Sequence, residues 1–150
     1  MRVDFYQLSR DPVARLLPDL AERTLSADNR MVILADDDVL LDGISDALWS
    51  SKPQSFLAHG KAGEGQEGDQ PILLARTLAE GEAGAPNQAQ FLAIADGVWR
   101  DHCNSFERIF FPFEPDHIDA ARAAWKSLKD RDRVTRHYWR QDGRRWVEVG

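Results

Sequence analysis

An α/β fold, with a mostly parallel sheet flanked by helices and a carboxyl-terminal β-hairpin, is the class that this 150-residue sequence predicts. Strand-like and helix-like periods alternate twice in the first 48 residues, which is the βαβα order of a parallel sheet. The later apolar runs at 91–95 and 108–113 are short and unbroken, as strands covered on both faces are. An Asp-Gly pair near the end, between aromatic and arginine residues, signals a hairpin. With 43% hydrophobic and 29% charged residues, one core and one domain over residues 1–150 are expected.

Residues 3–8 read as the first strand. Asp11-Pro12 then supplies an N-cap with proline at the first helical position, and Val13, Leu16, Leu17, Leu20, Ala21 and Leu25 recur at helical spacing. Pro18 is expected to kink that helix or delay its start. The run Met-Val-Ile-Leu-Ala at 31–35 is a second buried strand, and Asp36-Asp37-Asp38 opens a helix that continues through Leu48. A glycine-rich loop at 59–70, a strand at 71–75 and a second polar loop at 79–90 follow. The strands at 91–95 and 108–113 are separated by a short helical or irregular piece around 99–105. Residues 115–129 form one amphipathic helix. In the hairpin at 136–149, a two-residue Asp142-Gly143 turn of type I′ sets Trp139 opposite Trp146 and Arg140 opposite Arg145. Like charges so opposed need solvent or an anion between them.

The net charge of −6 hides a division. From Arg122 to Trp146 there are nine Lys or Arg against three Asp, a surplus of +6, which leaves ten basic against twenty-two acidic residues, or −12, elsewhere. Nucleic-acid binding is therefore disfavoured for most of the surface. The single cysteine, Cys103, allows no internal disulfide and suits a reducing compartment. The first residues lack the apolar block of a signal peptide, and no apolar run approaches the ~20 residues of a membrane span. A soluble, cytoplasmic protein is expected, with no membrane partner.

Several motifs fail on inspection. Gly63-Glu64-Gly65-Gln66-Glu67-Gly68 matches G-x-G-x-x-G, but a strand follows it instead of a helix, and Glu64 and Glu67 would repel phosphate. It reads as a flexible loop. Asp36-Asp37-Asp38 lies where acidic metal or phosphoacceptor sites occur after parallel strands, yet helix capping accounts for it. His102-Cys103 lacks the paired spacing of a zinc site. His59, His117 and His137 belong to no acid, base and nucleophile set. No catalytic residue, metal or cofactor is expected.

The strongest functional candidates are Arg122, Lys126 and Lys129, at i, i+4 and i+7 on one helix stripe with Trp125 beside it. The stripe is either a solvated face or a docking surface for an acidic, aromatic-tipped partner. Trp125 also belongs to an apolar stripe with Ile118, Ala121 and Leu128, so it borders both faces.

Three ordered blocks give the chain its resemblance to a known family. They are Ala47-Leu48-Trp49 with Ser55-Phe56-Leu57-Ala58-His59-Gly60 and Ala62-Gly63-Glu64-Gly65, then Phe110-Phe111-Pro112-Phe113-Glu114, then Arg122-Ala123-Ala124-Trp125-Lys126. Together with Phe5-Tyr6 they resemble the chi subunit of bacterial DNA polymerase III, an accessory clamp-loader subunit. That resemblance implies a Rossmann-like domain without a nucleotide site. It also implies a non-catalytic linker that binds the acidic carboxyl tail of single-stranded DNA-binding protein, which ends in phenylalanine, and that meets DNA only indirectly. Carried over by position, the tail site falls on Trp49, Phe56, Phe111, Arg122, Trp125 and Lys126, with Lys129 as a further basic contact. Some members carry a lysine one turn before the arginine, where this chain has Ile118. A psi subunit or another clamp-loader component is the second partner implied, although no short signature for it stands in the sequence. Two rival readings are direct single-stranded DNA binding by the basic, Trp-rich last third, and a nucleotide-using α/β enzyme.

Overall fold

A computed structural model describes residues 1–50, 57–78, 85–101 and 105–149. Among them are eight strands in one sheet and three α-helices. The order along the chain is β1 (Arg2–Gln7), α1 (Val13–Ser26), β2 (Met31–Leu34), α2 (Asp38–Ser50), β3 (His59–Lys61), β4 (Ile72–Ala75), β5 (Phe91–Ile94), β6 (Arg108–Phe113), α3 (Ile118–Ser127), β7 (Thr135–Asp142) and β8 (Arg145–Glu148). The sheet runs β3-β4-β2-β5-β6-β1-β7-β8, and each pairing is parallel except that of β7 with β8. The α/β class and the terminal hairpin are those expected.

Side chains of successive strand residues point to opposite faces, and this alternation divides the core in two. Tyr6, Ile33, Leu74, Ala93 and Phe110 pack with Leu17, Leu20 and Ala21 of α1 and Leu41, Ile44 and Leu48 of α2. Phe5, Leu34, Leu73, Ile94, Phe111 and Phe113 pack with Ala121, Ala124 and Leu128 of the α3 segment. Thus α1 and α2 cover one face and α3 covers the other.

Several details depart from the sequence expectation. Asp11 does not cap α1. Its carboxylate accepts from Arg15 (3.3 Å) and Gln141 (2.8 Å), Pro12 takes the cap position, and the amide of Val13 reaches Glu114 Oε2 (3.4 Å). Pro18 neither ends nor delays the helix, because it sits inside α1 and is buried against the sheet, where packing offsets the missing N–H. Residues 59–61, expected as loop, pair with β4 as an edge strand. Asp37, by contrast, caps α2 as expected, with Oδ1 accepting from the amides of Val39 (2.9 Å) and Leu40 (3.2 Å).

The hairpin register is shifted by two residues from the expected one. Asp142 faces Arg145, Gln141 faces Trp146 and Arg140 faces Val147, so Gly143-Arg144 forms the turn. Gly143 has φ 64° while Arg144 is absent from the positive-φ residues, the pattern of a type II′ turn and not I′. Arg140 is thereby relieved of a directly opposed arginine. Trp139 and Trp146 stay on the same face, both against Tyr6.

Candidate partner-binding surface

The helix α3 begins after Pro115, which opens a 3-10 turn over Pro115–His117. Asp119 in its first turn and Lys126 in its last turn both complement the helix dipole. Its inner side carries Ala121, Ala124 and, just past the end, Leu128, all buried. Arg122 and Lys126 lie on the outer side, and Lys129 follows on the terminal turn, where its amide reaches the Lys126 carbonyl (3.2 Å). All three cations are exposed, and among the described residues none has a carboxylate partner.

Trp125 is fixed from three sides. Its ring meets Phe5 edge-on at 5.3 Å and Tyr138 at 5.6 Å. Arg136 lies over the ring at 4.0 Å, a cation–π contact, and its Nη1 donates to the Trp125 carbonyl at 2.6 Å. The Tyr138 hydroxyl donates to Gln7 Oε1 (2.6 Å); burial pushes its phenol upward, and the nearby Arg122 charge opposes that rise. Arg136 and Tyr138, both from β7, thus join the site, although neither belongs to the set carried over by position from the family resemblance. Their signal was the period-two spacing of Arg136, Tyr138 and Arg140 on one strand face.

Phe111 and Trp49, also expected at the site, do not line this surface. Phe111 is fully buried beneath this surface, against Phe5 (5.3 Å) and Trp99 (5.7 Å), so it supports the Trp125 shelf without reaching a partner. Trp49 is half exposed at the end of α2, on the other face of the sheet, with its ring 4.4 Å from that of His59 on β3. Edge strand β3 lies four strands from β6, on the order of 19 Å at ~4.8 Å per strand. Trp49 and Trp125 therefore cannot line one pocket. Phe56 lies outside the described residues, as do His102 and Cys103.

Possible sites for other chemistry are occupied by the chain itself. In the glycine-rich loop, the amide of Gly63 donates to Glu67 Oε1 (2.7 Å), and a 3-10 turn over Glu67–Asp69 leads directly to β4. A carboxylate therefore holds an amide that a phosphate would need. Chain connections leave adjacent strands β1 and β6 toward opposite faces, and there Glu114 accepts from the first amide of α1. That is the crevice which doubly wound sheets offer to ligands. Asp36 and Asp38 are paired with Arg76 (3.0 and 3.5 Å). Among the described residues, no group of three or more His, Cys, Asp or Glu could hold a metal ion, and no helix is long and apolar enough to cross a membrane.

The family model described as "DNA polymerase III chi subunit, HolC" matches residues 1–135, from the first strand to the start of β7. The chain belongs to the DNA polymerase III chi subunit family. It is also similar to the DNA polymerase III subunit chi of Escherichia coli (strain K12), with 24% identity over 134 residues that cover 83% of this chain and 88% of that protein. In this chi-family chain, then, the α3 surface lies within the matched region, whereas almost the whole hairpin lies beyond it.

Proposed function

We propose that this chi-family chain is a non-catalytic, cytoplasmic accessory subunit that links the clamp loader to single-stranded DNA-binding protein by taking that protein's acidic carboxyl tail on α3. One observation carries the reading: Arg122, Lys126 and Lys129 stand unpaired among the described residues, beside a tryptophan ring that Phe5, Tyr138 and Arg136 hold in place. A planar guanidinium at Arg122 suits bidentate binding of the terminal carboxylate. The Trp125 ring flanks the terminal phenylalanine, whose burial contributes about 1.5–3 kcal/mol. Lys126 and Lys129 attract the acidic residues behind it, at about 0–1 kcal/mol for each exposed pair. Ordering a flexible tail offsets part of that gain, which gives a Kd on the order of micromolar.

Trp49 lies on the opposite face, away from the tail in this arrangement, and a psi subunit or another clamp-loader component is the second partner. DNA is met indirectly, through the partner that coats it.

Titration with a synthetic copy of the host's tail, with and without its last residue, tests the proposal. Saturable binding that requires the final phenylalanine is expected. Arg122→Ala and Trp125→Ala should each weaken it strongly, by roughly tenfold or more, while Lys129→Ala should have a smaller effect that vanishes at high salt. Equal and negligible losses for all three would place the tail elsewhere.

A further inference from the structure

The face of the sheet that carries α3 does not end at the helix. Strand alternation puts Arg136, Tyr138 and Arg140 of β7 on that face, and the hairpin register adds Val147, opposite Arg140, and Arg145, opposite Asp142. Val149 lies two residues beyond Val147, and its amide donates to the Tyr138 carbonyl (2.9 Å). Trp125 reaches only as far as Tyr138. Beyond it Arg140 and Arg145 are exposed, and Val147 and Val149 are 37% and 44% exposed, among the few large apolar side chains so open to solvent. Among the described residues, neither arginine has an ion-pair partner, although Asp142 faces Arg145 across the ladder.

We propose that the α3-facing side of the hairpin is the second wall of the tail site, where Val147 and Val149 receive an apolar side chain and Arg140 and Arg145 receive carboxylates next to it. This rests on the tail reading given above and extends it to residues outside the family match, which ends at residue 135. Charge decides the occupant. A second copy of the chain would bring the same arginines face to face in an isologous contact, which like-charge repulsion disfavours. A nucleic acid would need open rings for its bases, but Tyr138 is stacked on Phe5 (6.2 Å, 8°) and Arg136 covers Trp125. Aliphatic side chains edged by unpaired arginines suit an extended peptide that is acidic and apolar by turns.

The test uses the full chain and a synthetic copy of the host's tail, with binding followed by fluorescence anisotropy across a salt series. Arg140→Glu combined with Arg145→Glu should weaken binding by roughly tenfold and flatten its salt dependence, since two attractive contacts become repulsive. Val147→Ser should weaken it by about threefold with the salt slope unchanged. Both variants alter exposed side chains, so melting temperatures close to the parent's are expected. Parent-like binding by both, with Arg122→Ala still impaired, would remove the hairpin from the site and leave the tail reading standing. Absence of binding by the unaltered protein would overturn the tail reading and this extension together. A thymidine oligonucleotide bound more tightly than the tail, and released by the same double reversal, would assign the wall to nucleic acid and overturn the inference.

Discussion

Asp4 shows how one residue can matter to the fold while leaving no trace in the sequence pattern. It is fully buried in the middle of β1 and accepts hydrogen bonds from Arg2 (3.1 Å), Arg108 (2.7 Å) and Trp139 (3.1 Å), so it ties together three neighbouring strands. Two of those partners lie 104 and 135 residues away in sequence, which is why local reading passed over it. Burial pushes the Asp4 carboxyl upward, but the Arg2 and Trp139 hydrogen bonds and the Arg108 charge outweigh it and hold the group below the usual carboxylate range. A lowered folded value means stability that is complete above the unfolded value of ~4 and is lost as pH falls through the folded one. Asp4→Asn should therefore cost about 1–3 kcal/mol at neutral pH, discounted because both arginines are partly exposed. The gap between parent and variant should shrink at roughly pH 3, as urea midpoints at the two pH values would reveal. An equal gap at both would mean that packing, and not charge, holds the site.

At the scale of elements, the strands and helices were legible because their periods are local, whereas their mutual placement was not. Nothing in the order of the elements says which face of the sheet a crossover takes, so Trp49 and Arg122 looked like members of one pocket until α2 and α3 were found on opposite faces. The hairpin register failed for a related reason. A slip of two residues keeps Trp139 and Trp146 on the same face, so periodicity cannot distinguish the two registers. The relief of Arg140 from Arg145, together with the parallel pairing of β7 along the whole of β1, favours the observed one. In that register Gly143 takes the first central position of the turn at φ 64°. Gly143→Ala should then lower stability by about 1–2 kcal/mol, the cost of a side chain in the left-handed region. Its Cβ would meet no atom within 4 Å, so the loss is conformational and not steric. Chemical denaturation would measure it, and a variant as stable as the parent would point to a different turn.

For the whole molecule, the division of charge is the property that decides how the subunit meets replication intermediates. The stretch from Arg122 to Trp146 carries a surplus of +6 on a chain whose net charge is −6, so an anion is attracted to one region and repelled by the rest. Trp139 and Trp146, which in sequence resemble stacking platforms for bases, lie against Tyr6 at 6.4 and 5.3 Å on the face away from α3. A naked strand would therefore find a short basic patch and few open rings, and only weak, salt-sensitive binding is expected of it. A coat protein that displays several tails offers the same patch a cluster of ligands, and rebinding within the cluster raises the effective concentration to the millimolar range for short flexible tethers. The chain should thus be retained on oligonucleotide coated with the host's single-stranded DNA-binding protein at least ~10-fold better than free tail peptide predicts, provided its own tethering in a polymerase assembly is reproduced. It should be lost when the coat protein lacks its tails. Retention on tailless coat, or on bare oligonucleotide at comparable strength and with a steep salt slope, would show that the surplus of positive charge reads the nucleic acid and not the protein that covers it.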